Sequence, residues 1–410
     1  MLSGPKSSAS ATPRNPIRFH AVTLATFFGA SAAPTPLYRI YQESFAVTPV
    51  FITVIFAVYS FALLGALLVA GSISDHLGRK PVIFLALVME IIAMSLFVIA
   101  PDANWLVAAR IVQGLATGVA SASIGAALVD VDRAKGQIVN SIAPLLGMGF
   151  GAIGTSALIQ YGPFPLHLAY AVLLVAFVVQ AALVWSIDET GGTREGIWAS
   201  LKPRIAIPPQ VRRPLALVTP VNIANWAMGS FYLSLVPSLV ASTTGSRAPL
   251  TGGAVVTTLM FAGAVSVFLR RGKSSLANIT FGTAATTLGI LTVVAGVHLA
   301  SVPLMIAGTL LAGVGFGTNF LGTLGTIMPL AKADERAELL SAFYIQSYLA
   351  FSLPAILAGF LARSLGYRMT TDIYAVAIIA VTLAGLFGLR ADRRTNSIPA
   401  PAPAGACNAE

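Results

Sequence analysis

Residues 71–81 read GSISDHLGRKP and lie between two long apolar runs, at roughly 48–71 and 81–100. One acid, two glycines and two adjacent bases are grouped here within sequence that is otherwise almost uncharged. Charged side chains are costly at membrane depth, so they collect where a chain leaves the bilayer. The stretch therefore predicts a short hairpin at the membrane surface, between two membrane-spanning helices.

The composition of the whole chain also indicates a membrane protein. Of its 410 residues, 56% are hydrophobic and only 10% are charged, and the mean hydropathy is +0.82. Soluble proteins carry about 25% charged residues, and a membrane span needs about 20 apolar residues. The sequence contains twelve such runs, at roughly 19–41, 48–71, 81–100, 104–128, 138–160, 166–187, 215–239, 250–269, 276–297, 302–325, 338–361 and 371–389. We predict an all-α membrane protein with twelve transmembrane helices.

A long polar segment, 188–214, rich in Arg, Gly and Pro, separates the first six runs from the last six. The predicted organisation is a cytoplasmic N-terminal segment at 1–18, a six-helix bundle at 19–187, a cytoplasmic linker at 188–214, a second six-helix bundle at 215–389 and a disordered cytoplasmic tail at 390–410. A trace of an internal repeat supports two related halves. The loop LRRGKSS at 269–275 has the place and charge of the 71–81 loop.

The distribution of charge predicts the orientation. Most of the 25 Lys and Arg residues fall in loops on the side of the 71–81 hairpin. Four fall on the other side, namely Arg39, Arg247, Arg363 and Arg368. By the positive-inside rule, both termini are cytoplasmic. The net charge of +10 is thereby explained as a topology signal, and nucleic-acid binding is excluded. We expect a monomeric, multi-pass protein of a cell membrane, namely the inner membrane if the source is bacterial.

The 71–81 hairpin resembles the signature found between spans two and three of the major facilitator superfamily. The matching positions are Gly71, Asp75, Gly78, Arg79 and Lys80; the family's Arg after the Asp is replaced by His76. The resemblance implies two pseudo-symmetric six-helix bundles that expose a central cavity to each side of the membrane in turn. It also implies a gating role for the five matching residues. Asp75 would cap the start of a helix in the opposite half, since carboxylates are stabilised at helix N-termini.

A second motif lies in the fourth run. Arg110, Gln113 and Gly114 resemble the R-x-x-Q-G signature of twelve-span drug/proton antiporters of the same superfamily. The match in the fifth run is weaker, because Ala152 stands at the proline position of the antiporter signature and Gly154 is one position early. The resemblance implies an exporter driven by protons, and the weaker match leaves the direction of transport open.

Proton coupling needs a titratable group in the transport path. Arg110 keeps its proton, so it can only tune a neighbour or hold an anionic group. Glu90 is the one carboxylate at mid-depth, and an acid there is a candidate functional residue. We therefore predict that Arg110, Gln113, Gly114 and Glu90 participate in coupling. Two other readings of Glu90 are a neutral, lipid-facing side chain and a bond to a neighbouring helix.

Polar and aromatic side chains within apolar spans are the candidates for a substrate pocket, which would need neutral hydrogen-bonding groups and aromatic area. The predicted substrate-binding residues are Tyr38, Tyr59, Asn222, Asn225, Trp226, Asn319, Tyr344, Gln346 and Tyr348. Each of them could instead serve helix packing. As a set, they favour an amphipathic organic molecule of moderate size over a compact ion.

Motifs of other protein classes are absent from the sequence. There is no P-loop, so ATP is not expected to drive the protein directly. The four histidines are scattered, and Cys407 is the only cysteine, so we expect no metal, no cofactor and no enzymatic activity. The favoured function is export of small amphipathic organic molecules by proton antiport. The alternatives are a proton-independent facilitator or importer of a small metabolite and, third, a membrane sensor without transport.

Overall fold

The computed structural model describes residues 15–193, 195–196, 205–246 and 248–394. Most of the predicted N-terminal segment, part of the linker and residues 395–410, with Cys407, lie outside the described residues. Residues 390–394, predicted as the start of a disordered tail, belong to the last helix. Within the described ranges the structure is helical throughout, and the one β feature is an isolated bridge between Leu77 and Thr193. The prediction of an all-α fold is thereby confirmed for the described residues.

Eight helices precede residue 188. They are α1 Pro16–Ala32, α2 Tyr38–Ser44, α3 Pro49–Ala70, α4 Ile73–Leu77, α5 Arg79–Ile99, α6 Ala103–Val131, α7 Arg133–Tyr161 and α8 Leu168–Leu183. Single 3₁₀ turns, Thr35–Leu37 and Val184–Ser186, follow α1 and α8. Three of the starts are capped by side chains that accept a backbone hydrogen bond, which satisfies an otherwise unpaired amide. The capping residues are Thr48, Asp102 and Asp132.

Six helices follow the linker. They are α9 Pro209–Ser234, α10 Val236–Thr244, α11 Pro249–Arg270, α12 Ser275–His298, α13 Val302–Ile327 and α14 Arg336–Arg394. Two of them depart from straight spans. The axis bends by 60° between α9 and α10, next to Pro237, and α14 consists of two helices that meet at Gly366, whose φ of 78° no helix accommodates.

Every predicted apolar run overlaps a helix, but the number of spans stays a prediction. Among the described residues, nine helices are long and apolar enough to cross a membrane, or ten if α9 and α10 form one bent span. Helix α1 has 17 residues, and α14 counts once although it is broken at Gly366. The grouping into two six-helix bundles likewise remains a prediction.

Small residues allow the helices to pack closely. A Cβ atom added to Gly114 in α6 would lie 2.3 Å from the carbonyl oxygen of Tyr59 in α3. One added to Gly151 in α7 would lie 2.1 Å from the carbonyl oxygen of Gly29 in α1. Since neither backbone can yield that much, only glycine fits these two crossings. These crossings fix the position of α3 against α6 and that of α7 against α1.

Helix α3 also packs antiparallel against α14, which brings the two parts of the chain together. The added Cβ of Gly359 would meet Thr53, and the rings of Phe56 and Phe351 have centroids 4.9 Å apart. The end of α3 therefore lies beside the beginning of α14. We call the end of the molecule that carries the 71–81 hairpin the hairpin end, and the opposite end the far end.

Candidate functional site

A cavity of about 770 Å³ lies between the helices that precede the linker and those that follow it. This volume is in the range of sites for drug-sized organic ligands. The helices α1, α3 and α7 form one wall, and α9, α11, α13 and α14 form the other. Most of the lining side chains are apolar or aromatic. Around Trp226, the rings of Tyr348 and Phe351 have centroids at 5.1 and 5.6 Å.

The cavity opens at the hairpin end. Gln137 in the first turns of α7 and Arg336 at the start of α14 line it and are exposed, whereas Phe56 and Asn225, each 3% exposed, line its interior. The lining also includes the 3₁₀ turn Met328–Leu330 at the end of α13, through Met328 and Pro329. A solute would thus enter between the starts of α7 and α14.

Hydrogen bonds between the two parts of the chain hold the far end shut, among them one from the Leu250 amide to Oε1 of Gln160 at 3.3 Å. Thr35 donates to the carbonyl of Leu233 at 2.8 Å. Arg39 donates to the carbonyl of Ser246 at 3.4 Å, and Gln42 donates to the Tyr367 hydroxyl at 3.5 Å. Arg39 also forms an ion pair with Glu43 at 3.0 Å. The cavity is therefore accessible from one side only.

Five of the nine predicted substrate-binding residues line the cavity, namely Tyr59, Asn225, Trp226, Tyr344 and Tyr348. The other four are engaged elsewhere. The Tyr38 hydroxyl accepts a hydrogen bond from Arg110. Asn222 donates to Ser347 at 2.9 Å, Asn319 donates to Thr286 at 3.3 Å, and Gln346 donates to the Thr219 carbonyl at 3.4 Å. These three side chains join helices to one another instead of facing the cavity.

Sequence reasoning missed much of the lining. The apolar and aromatic part includes Phe28, Phe56, Phe316 and Phe351, which resemble any phenylalanine of a membrane helix. A signal was present for the remainder. Arg336, Leu340, Tyr344, Tyr348 and Phe351 follow one face of α14 at helical spacing. Gln137, Asn140 and Ser141 form a polar stripe at the start of α7.

Arg110 is fully buried behind the cavity wall and joins α6 to α1. It donates to the carbonyl of Ser31 at 2.9 Å, to Oε1 of Gln113 at 2.7 Å and to the Tyr38 hydroxyl. The Cζ atom of Arg110 lies 5.0 Å from the centroid of the Tyr59 ring, within cation–π distance. Ser31 and Tyr59 both line the cavity. The guanidinium is thus one residue removed from any solute there.

Glu90 belongs to the same buried network. Gln113 donates from Nε2 to Glu90 Oε1 at 3.2 Å and to the carbonyl of Ala30 at 3.1 Å. Glu90 is 0% exposed, and its second oxygen has no hydrogen-bond partner among the described residues. The structure therefore places Glu90 toward a neighbouring helix instead of toward lipid. Gly114, the fourth predicted coupling residue, contributes the close α3–α6 crossing.

The 71–81 hairpin is organised around Arg79. Its guanidinium forms ion pairs with Asp75 at 2.6 Å and with Asp130, at the end of α6, at 2.9 Å. It also donates to the Ser74 hydroxyl at 2.7 Å. The described hydrogen bonds of Asp75 stay within the hairpin, so in this arrangement it does not cap a helix of the opposite half. That predicted contact remains untested for a state in which the hairpin end is closed.

Glu189, directly after α8, supports the hairpin from the linker side. It accepts hydrogen bonds from the backbone amides of Arg79 at 2.8 Å and Lys80 at 3.0 Å, and from Thr190 and Gly191. Partial burial raises the pKa of this carboxyl, but the backbone donors outweigh burial and hold the pKa below its ordinary value. Gly78, with φ of 89°, makes the turn that presents these amides.

The chemistry available in the cavity is that of non-covalent binding. Of the lining residues that the structure describes, Arg336 alone is charged, and none is an Asp, Glu or His. Within the described part of the chain, no group of three or more His, Cys, Asp and Glu residues could hold a metal ion. The lining suits a largely apolar solute with a few hydrogen-bonding groups.

Comparison with known proteins gives a consistent result. Residues 20–297 match the model of the Major Facilitator Superfamily. No curated protein matches the chain. Among solved structures, a crystal structure of a mutant of the nucleoside transporter NupG is similar, with a TM-score of 0.73 and 10% sequence identity, over 91% of this chain and 99% of that one. At this identity the likeness shows the fold alone.

Proposed function

Because the chain belongs to the major facilitator superfamily, we propose that this transporter exports amphipathic organic molecules of moderate size by proton antiport. The single observation that carries the proposal is the cavity, which lies between the two parts of the chain, opens at one end and is closed at the other. Alternating access requires such a site. The twelve-span arrangement in two bundles and the monomeric state are part of the same proposal.

The orientation follows from charge. The basic residues cluster at the hairpin end, which favours a cytoplasmic position for that end and for both termini. The structure would then be an inward-open state, ready to accept a solute from the cytoplasm or from the inner leaflet. An exporter needs this state for loading.

The coupling step would use the buried network behind the wall. Gln113 donates hydrogen bonds to Glu90 and to the Ala30 carbonyl and accepts one from Arg110. Arg110 also donates to the carbonyl of Ser31, and Ser31 lines the cavity. Protonation of Glu90 would weaken the bond from Gln113, because a neutral carboxyl is a poorer acceptor than a carboxylate. The change would pass to α1 through the carbonyls of Ala30 and Ser31. Protonation and substrate binding could thus compete through the position of α1.

A second candidate function is proton-independent transport of a small metabolite, in either direction. Two observations favour it: no carboxylate of the described residues lines the cavity, and the match in the fifth run to the exporter signature is weak. The likeness to a nucleoside transporter is compatible with this function and with the first.

Flux in proteoliposomes under an imposed pH gradient separates the two. The protein is reconstituted in a known orientation, and the compartment at the far end is made more acidic than the compartment at the hairpin end. Antiport predicts that this pH gradient drives the solute into the far-end compartment against the solute's own concentration gradient. A facilitator would equilibrate the solute and ignore the pH gradient. If no solute in a broad panel of aromatic and aliphatic compounds shows flux, the third alternative, a membrane sensor without transport, is favoured.

A further inference from the structure

The lining of the cavity is electrostatically one-sided. Arg336 is the only charged residue among the described residues that line it, and the other polar groups of this lining are hydroxyls, amides, the Trp226 indole and backbone. A cationic solute would have no counter-ion there, and an anionic one would have Arg336. Since an unpaired charge is costly to bury whereas a paired one is tolerated, the two signs of charge are not equivalent in this cavity.

Arg336 is placed to hold an anionic group. It lies in the first turn of α14, where the unpaired helix amides and the helix dipole also favour negative charge. Its Nε atom donates to the Ala331 carbonyl at 3.3 Å. The two Nη groups make no hydrogen bond to the described part of the chain. They form the planar fork that binds carboxylates and related oxyanions with two hydrogen bonds.

Nearby acids do not neutralise Arg336 on the cavity side. Glu335 accepts from the Lys332 amide at 3.0 Å and from Gln210 at 2.8 Å. Glu338 is two positions from Arg336 on the helix, and residues at that spacing do not face each other. Neither Glu335 nor Glu338 lines the cavity.

Deeper in the cavity, two lining residues carry buried polar atoms that make no hydrogen bond to the described part of the chain. They are Oδ1 of Asn225 and Nε1 of Trp226. Unpaired buried polar atoms are costly, so such atoms in a cavity wall indicate a ligand that pairs with them. The Trp226 indole N–H would pair with an acceptor group of the solute, and Oδ1 of Asn225 would pair with a donor group.

The spacing sets the length of the solute. Tyr344 is eight residues beyond Arg336 on the same face of α14, about 12 Å along the helix axis. An anionic head at Arg336 and an aromatic body between Tyr344 and Trp226 would fit a molecule of two fused rings with a short side chain.

Deepening the proposed function, we propose that the cavity selects aromatic organic anions and rejects organic cations of the same shape, with Arg336 as the residue that recognises the anionic group. The inference rests on the cavity as the substrate site. It does not depend on proton coupling or on the direction of transport.

The test measures binding to the purified full-length protein in detergent by isothermal titration calorimetry. Three probes share one apolar body and differ in the head group: naphthylacetate, naphthylethanol and naphthylethylammonium. We expect naphthylacetate to bind at least tenfold more tightly than naphthylethylammonium. Arg336→Gln should weaken naphthylacetate by about tenfold, the lower end for a charge-assisted hydrogen bond, and leave naphthylethanol unchanged.

A matched control is Arg133→Gln, which removes the same charge from an exposed position at the same end, outside the lining. It should leave the affinities of all three probes at their wild-type values. Equal or tighter binding of the ammonium probe, no binding of naphthylacetate, or equal weakening of all probes by Arg336→Gln would overturn the inference. Anion-selective binding without pH-driven flux would uphold it while contradicting antiport.

Discussion

Gln113 lies between Arg110 and Glu90, 2.7 Å from the guanidinium through its amide oxygen and 3.2 Å from the carboxyl group through its amide nitrogen. The amide therefore separates a buried base from a buried acid that do not touch. A direct ion pair in this setting would be hard to open, because each partner would leave the other charge buried and unpaired. A bridging amide avoids such a pair, as the proposed coupling role of Glu90 requires.

The first prediction concerns Glu90→Gln. If Glu90 is the coupling group, this variant should lose pH-driven accumulation and keep downhill exchange of the solute, because its side chain no longer titrates but still pairs with Gln113. Flux in proteoliposomes with and without a pH gradient measures both. Glu195→Gln, at an exposed position of the linker outside the cavity lining, is the control. Full pH-driven accumulation by Glu90→Gln would make Glu90 a structural residue.

The second prediction concerns Arg110. Arg110→Ala should abolish transport, and Arg110→Lys should restore little of it. The guanidinium donates at once to Ser31, Gln113 and Tyr38, whereas an ammonium is a compact charge without that planar geometry. Transport rates should be compared at equal amounts of folded protein, judged by size-exclusion chromatography. Near wild-type rates in Arg110→Lys would show that charge alone suffices.

The third prediction concerns gating at the hairpin. Arg79→Ala and Asp75→Asn should each slow turnover with little effect on insertion into the membrane. Each removes a charge-assisted contact, which typically contributes about 1–3 kcal/mol, enough to shift an alternating equilibrium by roughly five- to 150-fold. Single-turnover and steady-state flux would reveal the change. The basic loop at 269–275 offers Arg271→Ala as a control. Wild-type turnover in both hairpin variants would remove the gating role.

The fourth prediction concerns the pH dependence of stability. The folded-state pKa of Glu189 lies below its ordinary value of 4.5, so its stabilising contribution is fully present above about pH 4.5. It is lost as the pH falls through the folded pKa. Glu189→Gln should therefore lower the melting temperature at pH 7, and the difference from wild type should shrink below pH 4.5. Thermal melts in detergent across this range are the measurement. A difference that is independent of pH would assign the effect to packing.

The class of fold follows from the sequence, and so do contacts that depend on local spacing along one helix. Arg110 and Gln113 are three positions apart on a helix and therefore adjacent. The Arg39–Glu43 pair follows from the same rule. The charges of the hairpin are visible against an uncharged background. The ion pairs of Arg79 with Asp75 and Asp130 were not predicted.

The rotation of the helices could not be predicted in the same way. Asn222 and Asn225 are three residues apart on α9, yet Asn225 lines the cavity and Asn222 holds Ser347. In a membrane helix the lipid face and the core face are both apolar, so the pattern that orients a helix in a soluble protein is weak. For the same reason the sequence left open whether Glu90 faces lipid or protein. Side chains that pack tightly against neighbouring helices settle these rotations.

The attachment of the early linker to the hairpin has a consequence for the assembly of the two halves. Glu189 and the Leu77–Thr193 bridge hold the linker to the first half as far as Thr193, and α9 begins at Pro209. The chain between these two residues can extend to at most about 58 Å. A tether this short keeps each half at an effective concentration of the order of millimolar for the other. In the proposed transport cycle, re-closure of the halves is then an intramolecular event, independent of how dilute the protein is in the membrane.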